Sequence, residues 1–109
     1  MIEQLPVTAL RDWLDDTQRA APLIVDVREP GERERVLVNS VAIPLREIRG
    51  DHPELDKSRP IVTICESGVR SAIAASVLLR EGYIARAVVG GGVNDLDPVF
   101  AVSAAIANG

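Results

Sequence analysis

The only cysteine of this 109-residue chain lies where a strand is predicted to end and a helix to begin. Ile61–Ile64 is rich in β-branched residues, Cys65 follows it, and Ala72–Leu79 has the composition of a helix. A thiol in that place meets unpaired backbone N–H groups and the positive end of the helix dipole, which both stabilise an anion. Such settings lower the pKa of cysteine from about 8.5 to roughly 3.5–7.5. The pattern therefore predicts a reactive thiolate.

The residues after Cys65 predict a loop that can hold an anion. We call Cys65 and these residues the cysteine loop: Cys65, Glu66, Ser67, Gly68, Val69, Arg70 and Ser71. Gly68 lets the backbone curl, so that successive N–H groups converge above the sulfur and could also hold a persulfide. Arg70 either turns its charge towards this loop or forms a surface salt bridge. Ser71 is either a helix cap or a ligand to sulfur, and the two roles are compatible.

Asp26 and Arg28 stand at the end of a second predicted strand, the apolar run Leu23–Val27. Ligands of parallel sheets bind beyond the carboxyl ends of the strands, so both residues are expected close to the site. We expect them to pair with one another or to cap backbone groups, in support of the site, rather than to touch substrate. The charged run from Arg28 to Arg35 is otherwise predicted to be solvated surface, and His52 to lie in an exposed loop away from catalysis.

Apolar strands alternate with helical segments along the whole chain. This alternation predicts an α/β fold with a parallel sheet, right-handed crossovers and helices on both faces. Residues 36–38 and 41–43 are predicted to form a short strand region. We expect one domain over residues 1–109, in which residues 98–109 form a C-terminal tail whose conformation propensity alone does not settle.

Composition excludes several classes of function. A net charge of −4 and a pI near 4.9 argue against a nucleic-acid surface. A single cysteine forms no internal disulfide, no thiolate zinc site and no Cys-x-x-Cys redox pair, and no metal or organic cofactor is expected. The chain has no apolar run of membrane length and no signal-like start, so a soluble, cytoplasmic protein without a membrane partner is expected.

The sequence resembles the rhodanese (sulfurtransferase) family over roughly residues 8 to 96. The segments that carry the resemblance are Leu23-Ile-Val-Asp-Val-Arg-Glu-Pro30, Ile43-Pro44-Leu45, Cys65-Glu-Ser-Gly-Val-Arg-Ser71, Gly82-Tyr83 and Gly91-Gly92. It implies a three-layer fold with a central parallel sheet of about five strands. It also implies a persulfide on Cys65, cradled by the backbone amides of residues 66 to 70. A narrower likeness, to the C-terminal rhodanese domain of adenylyltransferase/sulfurtransferase proteins, rests on Arg11-Asp-Trp-Leu14, Ser67–Ser71 and Asp97-Pro98.

The sequence departs from the family pattern at several positions. Arg35-Val-Leu-Val-Asn39 replaces the usual Gly-His-Ile-Pro-Gly segment, and Leu96 stands where an aromatic residue often follows the Gly-Gly turn. Glu66 follows the cysteine, where thiosulfate users often carry a basic side chain. A carboxylate there would repel a dianionic donor unless it pointed to solvent.

These observations lead to one principal hypothesis and two alternatives. The principal hypothesis is a sulfurtransferase that moves sulfane sulfur through a Cys65 persulfide. Its donor would be thiosulfate, mercaptopyruvate or a protein persulfide, and its acceptor a thiol, cyanide or a sulfur-carrier protein. The first alternative is a binding module that relays persulfide sulfur to a carrier protein. The second is a thiolate phosphatase, but four residues between Cys65 and Arg70 are one fewer than in the phosphatase pattern.

Overall fold

A computed structural model describes residues 3–96 and 100–103 of the chain. Seven strands and three helices lie within these two ranges. The strands are β1 (Glu3–Pro6), β2 (Leu23–Asp26), β3 (Arg35–Leu37), β4 (Val41–Ala42), β5 (Ile61–Ile64), β6 (Ala85–Val89) and β7 (Ala101–Ser103). The helices are α1 (Val7–Asp15), α2 (Leu45–Ile48) and α3 (Val69–Arg80). Two short 3₁₀ turns occupy Pro30–Glu32 and Val93–Asp95.

A parallel sheet forms the centre of the described part of the chain. Its five strands follow the order β1-β6-β5-β2-β4. All four residues of β5 are buried, as a continuous apolar strand requires when helices cover both faces of a sheet. The predicted parallel sheet of about five strands is therefore confirmed, although β1 was not among the predicted strands.

Two apolar clusters, one on each face of the sheet, make the three-layer arrangement. Successive side chains of a strand point to opposite faces, so each inner strand contributes to both clusters. The cluster under α1 includes Leu10, Trp13, Ile24, Val62, Ile64 and Val88. The cluster under α2 and α3 includes Val25, Ile48, Ile61, Ala74, Leu78 and Ala87. The predicted α/β fold with helices on both faces is confirmed.

The prediction of one strand region over residues 36–38 and 41–43 is wrong, because the two segments belong to different sheets. β4 joins the parallel sheet beside β2, but β3 leaves it and pairs antiparallel with β7. Asn39 lies between β3 and β4 with a positive φ of 65°, which turns the chain from one pairing to the other. The segment that departs from the family pattern thus contributes one strand of a separate two-stranded ribbon.

Residues 97–99 and 104–109 lie outside the described residues, and so does the Asp97-Pro98 part of the narrower likeness. One domain over residues 1–109, with a tail from residue 98, therefore stays a prediction. Within residues 3–96 and 100–103, no helix is both long enough and apolar enough to cross a membrane.

Candidate functional site

Cys65 lies directly after β5, at the carboxyl edge of the sheet, and only 1 % of it is exposed. Its Sγ atom accepts a hydrogen bond from the backbone N–H of Gly68 at 3.2 Å. Burial raises the pKa of the thiol, but backbone N–H groups of Ser71, Gly68 and Ser67, together with the Ser71 hydroxyl, outweigh burial. The net effect is a lowered pKa, so the cysteine loop favours the thiolate.

Gly68 meets two separate backbone requirements of the cysteine loop. Its φ of 104° lies in the left-handed region, which glycine adopts without strain. A Cβ atom there would also lie 3.1 Å from Cα of Val89 and 3.3 Å from the carbonyl oxygen of Val88. The loop therefore packs against the end of β6 at a position where only glycine fits well.

Ser71 connects α3 to β6 rather than capping the helix. The helix begins at Val69 with Gly68 at the cap position, so the interpretation of Ser71 as a cap is wrong. Its hydroxyl lies 2.7 Å from the carbonyl oxygen of Val88 and 3.0 Å from that of Gly68. Because a hydroxyl has one proton, it stabilises the Cys65 thiolate only when it turns away from these carbonyls.

Gly92 supports Cys65 from the other side, and the sequence did not identify it as a site residue. A Cβ atom at Gly92 would lie 1.8 Å from the carbonyl oxygen of Cys65. The neighbouring Val93 donates its N–H to the same oxygen at 3.2 Å. The run Gly90-Gly91-Gly92 was the available signal, because several adjacent glycines often mark a close approach of two backbone segments.

Arg28 is the buried centre of the charged groups near Cys65, with no exposed surface. Its guanidinium donates to Asp26 from Nε at 3.0 Å and from Nη2 at 2.8 Å, and to Glu66 from Nη1 at 2.8 Å. It also donates to the carbonyl oxygens of Glu32 at 3.1 Å and Arg35 at 2.6 Å. The predicted pairing of Asp26 with Arg28 is confirmed, whereas the prediction of a solvated charge run is wrong for Arg28.

Burial disfavours the charged form of Arg28, whereas the hydrogen-bond partners of the guanidinium favour it. Burial is the largest single influence and lowers the pKa of the guanidinium, but the hydrogen bonds to Asp26 and Glu66 together with the negative charges of these carboxylates raise it by more. Asp26, itself fully buried, also receives a hydrogen bond from Nε of Arg33 at 3.2 Å. This arrangement joins the end of β2 to the cysteine loop through hydrogen-bonded charges.

Glu66 is held by two partners instead of pointing freely to solvent. One carboxylate oxygen accepts from Arg28, and the other accepts from Nδ2 of Asn94 at 2.9 Å. The positive charge of Arg28 therefore offsets the negative charge of Glu66. Asn94 belongs to the turn after Gly92, so Glu66 also links the cysteine loop to that turn.

Arg70 forms a two-fold ion pair with Glu32. Its Nη1 and Nη2 atoms donate to the two carboxylate oxygens at 2.5 and 2.7 Å. The pair lowers the pKa of Glu32 to about 2, chiefly through the Arg70 hydrogen bonds and then through the N–H of Glu29. It raises the pKa of Arg70, and the negative charge of the Cys65 thiolate adds to that increase. Of the two roles considered for Arg70, the salt bridge is the one formed, close to the thiolate.

The His52 side chain is mostly buried and lies away from the cysteine loop. Only 7 % of the His52 side chain is exposed, so the prediction of a solvent-exposed histidine is wrong. His52 precedes β5 whereas Cys65 follows it, so the two residues lie at opposite ends of that strand.

Ser67 and Val69 are exposed beside the buried cysteine. No group of three His, Cys, Asp or Glu side chains within the described ranges could hold a metal ion.

Comparison with known proteins agrees with this geometry. A family model described as the rhodanese-like domain matches residues 7–96. The chain belongs to the rhodanese-like domain family. Among solved structures, a rhodanese-related protein from Thermoplasma volcanium superposes with a TM-score of 0.71 at 30% identity, covering 82% of this chain and 85% of that one. A rhodanese-like domain protein from Staphylococcus aureus gives a TM-score of 0.74 at 27% identity, covering 83% and 87%.

Curated relatives include proteins named for sulfur transfer. A sulfurtransferase of Allochromatium vinosum is 31% identical over 84 residues, which are 76% of this chain and 77% of that protein. A putative sulfur carrier protein, YrkF, of Bacillus subtilis is 37% identical over 75% of this chain and 44% of its own length. A probable adenylyltransferase/sulfurtransferase, MoeZ, of Mycobacterium tuberculosis is 33% identical over 77% of this chain but 22% of its own length. Family and relatives together support a role in sulfur transfer.

Proposed function

We propose that this protein is a sulfurtransferase that carries sulfane sulfur as a persulfide on Cys65. The observation that carries the proposal is the hydrogen bonding around Sγ, where the N–H groups of Ser67, Gly68 and Ser71 lower the pKa of a buried thiol. A thiolate is the nucleophile that sulfur transfer requires. The same N–H groups would stabilise the terminal sulfur of a persulfide, which is also an anion.

The reaction proceeds by double displacement. The Cys65 thiolate attacks the sulfane sulfur of the donor, and the bond to the rest of the donor breaks with its electron pair. Thiosulfate releases sulfite and a protein persulfide releases its cysteine thiolate; with mercaptopyruvate the attacked sulfur is a thiol, and its C–S bond breaks to release the enolate of pyruvate. An external nucleophile then attacks the outer sulfur of the persulfide, and Cys65 leaves as a thiolate. A lowered pKa makes Cys65 a good leaving group in this second step.

The acceptor must come from outside the chain, because the sequence contains one cysteine and hence no resolving thiol. A small thiol, cyanide or a sulfur-carrier protein would serve. The free thiol that must be regenerated in each cycle stays reduced in a reducing compartment, so a cytoplasmic location belongs to the same proposal.

A relay module that exchanges sulfur mainly with partner proteins is a second candidate. It is supported by similarity to a putative sulfur carrier protein and to a probable adenylyltransferase/sulfurtransferase. Slow thiosulfate:cyanide transfer together with fast exchange with a carrier protein would favour it over the enzyme. A thiolate phosphatase is less well supported, because Glu32 already holds the arginine that would clamp phosphate.

Intact mass spectrometry tests the proposal. The protein is mixed with thiosulfate, mercaptopyruvate or a persulfide-charged cysteine desulfurase, and its mass is measured before and after addition of a thiol. We expect a gain of one sulfur atom that the thiol removes, and no gain in Cys65→Ser. No gain with any of the three donors would refute a Cys65 persulfide.

A further inference from the structure

Three guanidinium groups around Cys65 each have a carboxylate partner. Arg28 pairs with Asp26 and Glu66, Arg33 pairs with Asp26, and Arg70 pairs with Glu32. Three positive charges therefore face three negative ones, and the Cys65 thiolate adds a further negative charge. A second anion that approaches this site meets no uncompensated cation among these residues.

Arg70 is the cation best placed to bind an anionic donor, because it belongs to the cysteine loop itself. Its interaction with the thiolate is strong enough to contribute to its raised pKa. Both terminal nitrogens of its guanidinium are nevertheless bound to Glu32. Glu32 thus occupies one N–H on each terminal nitrogen, and its negative charge offsets the positive charge that an anionic donor would otherwise meet at Arg70.

Glu32 is itself fixed, so the pair does not open easily. Its carboxylate accepts the backbone N–H of Glu29 at 2.9 Å, and its carbonyl oxygen accepts from buried Arg28. The 3₁₀ turn Pro30–Glu32 has proline at its first position, which restricts the backbone further. With a pKa of about 2, the carboxylate stays ionised throughout the neutral range.

We propose that Glu32 determines the charge class of the sulfur donor: by holding Arg70, it disfavours dianionic donors such as thiosulfate and favours donors with a single negative charge or none. This inference rests on the proposed sulfurtransferase function and narrows its substrates. It also moves the determinant of donor choice from Glu66, whose charge Arg28 offsets, to Glu32. Glu32 acts through Arg70 and is thus a positioning residue.

Two donors with the same reacting sulfur separate the effect of charge from that of chemistry. Thiosulfate transfers its outer sulfur to the Cys65 thiolate, and its S–S bond breaks to release sulfite with both electrons. Methanethiosulfonate transfers its outer sulfur in the same way and releases methanesulfinate. The first donor carries two negative charges and the second carries one, while the bond formed on Cys65 is identical.

The test measures kcat/KM for both donors, with cyanide as acceptor, in the natural protein and two variants. Glu32→Gln removes the charge that holds Arg70 and keeps the shape of the side chain. Glu34→Gln removes the same charge from an exposed residue of the same segment and is the matched control. We expect Glu32→Gln to raise the ratio of thiosulfate to methanethiosulfonate kcat/KM about tenfold, and Glu34→Gln to change it less than about twofold.

The ratio is informative because any change in the thiolate affects both donors equally. An unchanged ratio in a folded Glu32→Gln protein would overturn the inference, while sulfur loading from methanethiosulfonate would show that the persulfide chemistry itself stands. No loading of any variant from either donor or from a persulfide-charged desulfurase would instead refute the proposed function, and the inference with it.

A second measurement uses the natural protein and does not depend on how well the variant folds. Added salt weakens the attraction between an exposed cation and a dianion. Because Glu32 offsets the charge of Arg70, we expect kcat/KM for thiosulfate to stay level or rise as potassium chloride is added. A fall with salt that is steeper for thiosulfate than for methanethiosulfonate would contradict the inference.

Discussion

The Arg28 side chain donates hydrogen bonds to five oxygen atoms of four different residues, and the residue has no exposed surface. Its planar guanidinium satisfies Asp26 and Glu66 together, which a lysine ammonium does not match in geometry. The residue therefore places a positive charge between two carboxylates next to Cys65. Loss of Arg28 would leave Asp26 buried with only Arg33 to offset its charge.

We predict that Arg28→Met destabilises the protein by about 3–5 kcal/mol, the usual cost of removing one partner of a buried ion pair. The matched control is Arg46→Met, because Arg46 forms an exposed pair with Glu29. Its expected cost is below about 1 kcal/mol. Urea unfolding followed by circular dichroism gives both free energies, and equal values would show that burial of Arg28 contributes nothing.

The individual partners at this scale were only partly predictable. Asp26 and Arg28 lie two positions apart, so their pairing followed from the sequence. Arg28 and Glu66 are 38 positions apart, as are Glu32 and Arg70. Those two pairs depend on β2 lying beside β5 in the sheet, and single-sequence patterns do not contain that information.

At the scale of elements, the strand, loop and helix around Cys65 were predicted and confirmed. The reason is that β5 is a continuous apolar strand, α3 is rich in alanine and leucine, and Gly82 ends the helix region with a φ of 95°. The ribbon of β3 and β7 was missed. Its strands have three residues each and lie far apart in the chain, so neither periodicity nor a turn signal connects them.

The turn at Gly92 yields the second prediction. Gly92→Ala should destabilise the protein by about 1–3 kcal/mol or more, because its Cβ atom must displace the Cys65 carbonyl. It should also slow persulfide formation, since that carbonyl is part of the backbone that positions the thiol. Thermal unfolding and the rate of sulfur loading provide the measurements.

Gly31→Ala is the control for Gly92→Ala, because a Cβ atom at Gly31 meets no atom within 4 Å. Its stability should stay within about 0.5 kcal/mol of that of the natural protein. Equal effects of the two substitutions would mean that the close approach of Gly92 to Cys65 has no energetic importance.

At the scale of the whole molecule, His52 makes global stability depend on pH. Its Nε2 atom lies 2.7 Å from Glu81, and its Nδ1 atom lies 2.7 Å from the carbonyl oxygen of Pro53. Two acceptors require both nitrogens to donate, so the folded protein favours the imidazolium. The Glu81 hydrogen bond is the largest cause of the raised pKa of His52. Burial opposes it, whereas the Pro53 carbonyl and the nearby charge of Asp51 assist it.

The third prediction follows from the sign of this shift. The folded protein retains a proton that the unfolded chain releases near pH 6.5, so the contribution of His52 is complete below about that pH. It is lost as the pH rises through the higher folded pKa. We therefore expect the free energy of unfolding to fall with rising pH above about 6.5, more steeply than in His52→Gln. Parallel pH profiles of the two proteins would contradict this assignment.

The order β1-β6-β5-β2-β4 also has a consequence for the time course of folding. Glu3 pairs with Arg86, so β1 can dock only after the chain has passed through nearly every other element of the sheet. Closing so large a loop costs more entropy than joining β2 to β5, and we expect the inner strands to associate first. β1 would then be a late addition that locks a sheet already formed.

Stopped-flow folding and unfolding can detect this sequence of events. Leu5→Ala, in β1, should mainly speed unfolding, whereas Val62→Ala, in the central strand, should mainly slow folding. If Leu5→Ala slowed folding as much as Val62→Ala does, β1 would already be docked in the transition state. If β1 is late, the edge beside β6 stays open during folding, and until β1 arrives it offers unpaired backbone groups to any other strand, including one from another copy of the chain.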